Sequence, residues 1–157
     1  AKLPLGTLHR VLQRLLREQV PVRDLVTILE VLGDVAEQSK DPEVLTEQVR
    51  RALGALIARQ HMDAAGAVRG ITVGPRLETA LLTLFSPRQA MPGGTPMQPS
   101  TIAQLLRELN DMATSQSLES RMPPLITPPG LRLGIRRIIE PVMPLLPIIS
   151  LAELPAN

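Results

Sequence analysis

Histidine is the side chain best suited to moving protons or holding a metal near neutral pH, and the sequence contains two, His9 and His61. Neither belongs to an H-E-x-x-H run or stands at ligand spacing from another suitable residue. With no cysteine in the chain, thiolate metal sites and disulfides are out. Both histidines therefore read as surface residues. No G-x-S-x-G stretch marks a serine nucleophile. Gly66, Gly70 and Gly74 recur every fourth residue but match neither G-x-x-x-x-G-K-S/T nor G-x-G-x-x-G, and read as turn and strand-end glycines. No enzyme chemistry and no cofactor is implied. What remains is recognition.

The charges with a pattern are arginines, which make up fifteen of the seventeen basic residues. Arg10, Arg14 and Arg17 form a basic stripe, and two short helices joined near Pro21 have the outline of a helix-turn-helix. A nucleic-acid-binding regulator using these two helices is accordingly the alternative reading. Against it, Glu18 interrupts the stripe and the next helix carries Asp24, Glu30, Asp34 and Glu37, which would face phosphates unfavourably. With Phe85 the sole aromatic residue, base stacking is also poorly served. The stripe reads better as a solvated or partner-facing surface. Arg132, Arg136 and Arg137 form a second basic cluster, with Glu140 four residues beyond Arg136. That spacing fits a surface ion-pair ladder, and it equally fits a partner contact, for which arginine is favoured.

The elements that must position these side chains begin with helices. Leu8, Val11, Leu12, Leu15 and Leu16 recur at helical spacing, with Thr7 as the expected N-cap. Pro21 is expected in the opening turn of a second helix, whose buried stripe is Val22, Leu25, Ile28, Leu29, Leu32 and Val35. Asp24 falls in that helix's first turn, where the dipole favours a negative charge. Asp41-Pro42-Glu43 supplies an N-cap oxygen, a proline at the first helical position and an acid at the second. The third helix follows, with Leu45, Val49, Ala52, Leu53, Leu56 and Ile57 inward, and Glu47 within reach of Arg50 or Arg51.

After Met62 the pattern changes. Ala67–Val73 reads as a strand, Pro75–Leu84 as a helix and Ser86–Ser100, with four prolines and two adjacent glycines, as a loop. Ile102, Leu105, Leu106, Leu109 and Met112 mark another amphipathic helix. Pro124–Thr127 reads as a strand, Gly130–Met143 as a helix and Pro147–Leu151 as a buried strand. The expected fold is mixed α+β. A small all-α subdomain spans residues 1–62. A small α/β subdomain spans 63–157, with a few-stranded parallel or mixed sheet and a Pro/Gly-rich loop at 86–100.

Composition agrees with a packed chain. It is 44% hydrophobic and 20% charged, with a net charge of +2 that gives no strong field to steer a polyanion. Aliphatic residues must build the core, with six methionines as gap fillers. The longest uncharged run, Pro141 to Ala152, falls short of the ~20 residues a spanning helix needs and holds three prolines. Direct membrane insertion is not expected. The opening Ala1-Lys2-Leu3-Pro4 lacks the apolar stretch of a signal peptide and lacks Met, so a piece of a longer protein is expected.

Three stretches carry a family likeness. Leu16-Arg17-Glu18-Gln19-Val20-Pro21-Val22-Arg23-Asp24-Leu25 with Ile28-Leu29-Glu30 resembles a signature of the export-gate family of type III secretion, which includes the flagellar FlhA proteins and their counterparts in virulence injectisomes. Asp41-Pro42-Glu43-Val44-Leu45-Thr46-Glu47-Gln48-Val49-Arg50 resembles a second stretch of it. Arg136-Arg137-Ile138-Ile139-Glu140, with Leu146-Pro147-Ile148-Ile149-Ser150 and Glu153-Leu154, resembles its end. Two departures stand out. Family members often carry Ser where Pro21 stands, and an aromatic is common where Leu151 stands.

The resemblance implies a non-enzymatic cytosolic part of an export gate, the last two of its four cytosolic subdomains, with the flagellar branch favoured. It implies a nonameric ring at the cytoplasmic face of the bacterial inner membrane. That ring would receive export chaperone–substrate complexes and contact other export-apparatus proteins, with no nucleic acid involved. Arg23, Asp24, Glu47 and Arg50 are the candidates for oligomer or inter-subdomain contacts, although their spacing equally fits local helix pairs and caps. Arg10, Arg14, Arg17, Arg132, Arg136 and Arg137 are the candidate partner-facing basic residues.

Overall fold

The computed structural model describes residues 3–72, 74–75, 99–115, 123–128 and 130–154. Two compact units emerge. The first takes in residues up to Val68 together with the stretch from Ala152, and the second runs from Arg69 to Leu151.

The first unit holds four helices: α1 (Leu5–Arg17), α2 (Leu25–Val35), α3 (Pro42–Ala52) and α4 (Gly54–Gln60). Helices α1 and α2 both pack on α3. Val11 and Leu15 of α1, Ile28 and Leu32 of α2, and Leu45 and Val49 of α3 are almost wholly withdrawn from solvent. Each such side chain contributes about 1.5–3 kcal/mol relative to exposure. The buried stripes are narrower than the periodicity suggests. Leu16, Leu25 and Leu29, expected inward, remain about half exposed, because each helix meets its neighbour along a single seam.

The helix starts explain two further differences. The Pro4 carbonyl already accepts from Thr7 N and Leu8 N, so α1 begins at Leu5 and Thr7 is not its cap. Asp24 is not inside the first turn of α2 but is its N-cap. Its carboxylate accepts from Thr27 N at 3.1 Å and from the Thr27 hydroxyl at 2.7 Å. Pro21 therefore lies in the connection ahead of the helix rather than in its opening turn. That connection is set by the end of α1. Gln19 takes φ 60°, Gln19 N donates to Leu16 O, and Val20 N donates to Leu15 O, the six-to-one and five-to-two bonds of a Schellman ending. Val20 is thereby tucked into the core.

Helix α3 starts as its sequence dictates. Asp41 Oδ1 accepts from Glu43 N at 2.9 Å, and Pro42 occupies the first turn. The single third helix expected through Ile57 is instead two, broken at Leu53. A Cβ on Gly54 would collide with the backbone carbonyl of Glu153, so this glycine admits the Glu153 backbone against the start of α4.

The second unit is built on a parallel sheet of β1 (Ile71–Thr72), β2 (Leu125–Thr127) and β3 (Ile148–Ser150) in that order. Ile71 aligns with Leu125 and Leu125 with Ile148. Parallel pairing requires long crossovers. Helix α6 (Arg132–Ile139) lies in the crossover from β2 to β3, and α5 (Pro99–Ser115) lies between β1 and β2. Ile71, Leu109, Leu125, Leu131, Ile135, Ile139, Met143, Leu146 and Ile148 form one buried cluster. All three residues of β3 are buried, as expected of a parallel strand covered on both faces. Helix α5 begins at Pro99, so the last two positions of the expected 86–100 loop are helical. The rest of that loop, Val73 at the end of the first expected strand, and the expected helix Pro75–Leu84 apart from Pro75 lie outside the described residues.

Candidate functional site

The patterned arginines divide into two groups by environment. On α1, Arg10, Arg14 and Arg17 line one side of an open cleft of about 340 Å³, together with Gln13. The start of α3 supplies the other side through Asp41, Pro42 and Glu43. Arg14 Nη2 lies 3.4 Å from Glu43 Oε1, and both side chains are half-buried. Arg10 and Arg17 stand exposed on either side of that pair along the helix. The cleft thus holds fixed cations beside two carboxylates, one of them engaged in capping a helix. It has donors and charge but no nucleophile, which suits it to polar recognition.

Arg50 behaves differently. It is 2% exposed and its guanidinium lies between two carboxylates. Nε and Oε2 of Glu153 face each other at 2.8 Å, and Nη2 donates to Oε1 at 3.3 Å. Nη1 lies 3.8 Å from Glu18 Oε2. The pair is held by charge at Nε and by a hydrogen bond at Nη2. Arg50 therefore joins α3 to the end of α1 and to the returning C-terminal turn, inside the first unit. Neither Glu18 nor Glu153 stood out as its partner from spacing. The available signal was a lone acid in the otherwise uncharged run Leu151-Ala152-Glu153-Leu154.

Of the other contact candidates, Arg23 and Asp24 are exposed at the entry to α2, and Glu47 is half-buried on α3. The Thr27 side chain and backbone both donate to Asp24, holding its carboxyl below the ordinary aspartate range.

The second basic cluster is not a surface patch, which corrects two of the partner-facing candidates. Arg132 is 1% exposed and donates from Nη1 to the Ile148 carbonyl at 3.2 Å. Arg136 is 5% exposed, donates to the Pro144 carbonyl at 3.0 Å, and reaches Glu140 Oε1 at 3.5 Å. Both guanidinium groups satisfy backbone carbonyls of the stretch leading into and along β3, so burial serves folding. Arg137 alone of the three is exposed.

His9 is exposed and His61 half-buried. Among the described residues no group of three His, Asp or Glu side chains is placed to hold a metal ion. Among them also, no helix is long and apolar enough to cross a membrane. The exposed face of α2 carries Glu30 and Asp34 and opposes any phosphate backbone, against the helix-turn-helix alternative.

The chain is 37% identical over 153 residues to the flagellar biosynthesis protein FlhA of Salmonella typhimurium, an alignment covering 98% of this chain and 21% of that protein. It thus spans about a fifth of that relative's length. Its fold is similar to that of the CdsV protein of Chlamydia pneumoniae, with a TM-score of 0.81 and 27% identity over 98% of this chain and 43% of that one. CdsV is also known in complex with CdsO. The nonameric EscV cytosolic domain from the type III secretion system is similar at a TM-score of 0.72 and 26% identity, over 98% of this chain and 45% of that one. The FHIPEP family matches residues 1–157. With sequence likeness along its whole length and the fold retained in these relatives, the chain belongs to the FHIPEP family.

Proposed function

We propose that this chain is part of the cytosolic portion of a type III protein-export gate. In this reading it helps build a ring that docks chaperone–substrate complexes for export and catalyses no bond chemistry itself. The observation that carries the reading is the likeness along the whole chain to a flagellar FlhA and, in fold, to a nonameric cytosolic domain. The flagellar relative, at 37% identity, supports the flagellar branch over the injectisome one.

The geometry fits such a part. The arginine cleft on α1 offers fixed charge without a reactive group, and the buried Arg50 ion pairs keep the first unit in one shape while its outer helix faces stay open. A ring of such units raises the local concentration of docked cargo beside the channel, a multivalent effect that needs no new contact per molecule. The partners are further copies, chaperone–substrate complexes and other export-apparatus proteins, of which CdsO bound to CdsV is an example in a relative. The place is the cytoplasmic face of the bacterial inner membrane, as the cytosolic part of a membrane protein.

Arg23, Asp24, Glu47, the half-buried Arg14 of the cleft and the exposed Arg10, Arg17 and Arg137 remain the residues proposed to meet neighbours. The test is assembly. The cytosolic part of the parent protein, purified with and without residues 1–157, should form rings by electron microscopy only when they are present. The isolated chain should be monomeric or weakly associating. Rings that form equally well without it would overturn the reading.

A further inference from the structure

The cleft between α1 and the start of α3 has walls of opposite charge. Arg10, Gln13, Arg14 and Arg17 line one side and Asp41, Pro42 and Glu43 the other, around a volume of about 340 Å³. Arg14 is engaged across the cleft with Glu43. Arg10 and Arg17 are exposed and have no ion-pair partner among the described residues. Seven positions apart, they stand on one face of α1, about 10.5 Å apart along its axis. Asp41 accepts from Glu43 N through Oδ1, and its Oδ2 has no hydrogen bond among the described residues.

These features select among occupants. A phosphate backbone would meet the arginines but be repelled by Asp41 and Glu43. A helix with its side chains is about 10–12 Å across, wider than the ~7 Å edge of a cube of the cleft's volume. An extended peptide suits both walls. Acidic side chains on it meet Arg10 and Arg17, and its backbone N–H groups donate to the carboxylates opposite. In a polyproline II chain, with three residues per turn and a rise of about 3.1 Å, side chains three apart share an edge about 9.3 Å apart. Guanidinium groups on flexible stems reach that separation. Such a chain makes no internal hydrogen bonds, so its N–H groups are free for Asp41 and Glu43. A β-strand points residues three apart to opposite faces and lacks the match.

We propose that the cleft binds an extended acidic segment of a partner protein, with carboxylates at i and i+3 pairing with Arg10 and Arg17. The assignment rests on the reading above, in which these arginines meet neighbours, and names the class of segment they take. Both pairs are open to solvent, so one segment binds weakly and with salt sensitivity.

The probe is the dye-labelled peptide acetyl-Ala-Glu-Pro-Ala-Glu-Pro-Ala, in which proline biases each glutamate towards polyproline II. Its comparator, acetyl-Ala-Glu-Pro-Glu-Ala-Pro-Ala, keeps the composition and charge but sets the acids two apart. Binding to the cytosolic part of the parent protein is read by fluorescence polarisation. The first peptide should bind about fivefold or more tightly than the second. Arg10→Ala with Arg17→Ala should abolish that preference and leave the thermal midpoint unchanged, since both side chains are exposed. Equal affinity for the two peptides overturns the proposal, as does a preference that survives the double substitution. Displacement of the bound peptide by an equal concentration of inorganic phosphate or duplex DNA also overturns it, in favour of an anion or nucleic-acid site. Secretion separates the cleft from the gate. A spacing preference set by Arg10 and Arg17, with secretion indifferent to residues 1–157, supports the cleft and rejects the gate reading. Secretion that needs the segment, with no spacing preference, rejects the cleft alone.

Discussion

Arg50 and Glu153 are 103 positions apart in the chain and face each other at 2.8 Å, each side chain no more than 3% exposed. Charges withdrawn from water this far are stable only when paired, so the C-terminal turn is held where its carboxylate meets the guanidinium. Glu18, 3.8 Å from the other side of Arg50, brings the end of α1 into the same group. One arginine on α3 thus fixes three separate stretches of chain.

Removing it should be severe. Arg50→Ala removes the guanidinium that faces the buried Glu153 carboxylate and is expected to destabilise the first unit by about 3–5 kcal/mol. Replacing both partners by apolar residues of similar size, Arg50→Met with Glu153→Leu, should recover most of that loss. The chain has no Trp or Tyr, so urea unfolding is followed by circular dichroism at the helix band. A double variant as weak as Arg50→Ala would show that the pair is not the source of the effect.

The same glycine substitution should have opposite signs at two helical positions. At Gly54 a new Cβ runs into the Glu153 backbone, and Gly54→Ala should lose about 1–3 kcal/mol despite alanine's helix preference. At Gly33 the space is open, and Gly33→Ala should gain about 0.5–1 kcal/mol. Thermal melts of the two variants check both signs.

Loss of a helix cap is expected to be milder and local. Asp41→Ala removes the acceptor for Glu43 N and should reduce stability by about 1 kcal/mol, with Asp41→Asn retaining most of it. Equal losses in the two variants would point away from capping.

Asp24 gives a pH signature. Hydrogen bonds from Thr27 hold its carboxyl below the ordinary value of 3.8 in the folded state. A depressed carboxylate adds stability above the unfolded value and gives it up as pH falls through the folded one. The stability gap between the parent chain and Asp24→Ala should therefore be full at neutral pH and shrink on acidification below about pH 4. A gap that stays constant down to the folded value would contradict the cap.

What could be read in advance was local. Asp41-Pro42-Glu43 carries its cap, its proline and its first-turn acid within three residues, and α3 starts there. The short apolar runs at Leu125–Thr127 and Ile148–Ser150 are strands, because β-branched residues directly after a proline leave few alternatives. Contacts set by distant residues were not legible. The close approach of Glu153 to Gly54, about a hundred positions earlier, and the Glu153 partner of Arg50 both follow from the return of the chain. Arg132 and Arg136 have the spacing of a surface ladder. Whether an i, i+4 arginine pair faces water or backbone carbonyls depends on which side of α6 meets the sheet, and charge alone does not encode that.

The export reading is tested most directly by secretion. Residues 1–157 are deleted in frame from the parent gene, and filament proteins and host-directed effectors are quantified in the culture medium alongside their intracellular levels. The account predicts loss of filament proteins from the medium while their synthesis continues. Loss of effectors alone would move the chain to the injectisome branch. Undiminished secretion of both, or a fall in cargo synthesis in place of export, would contradict it.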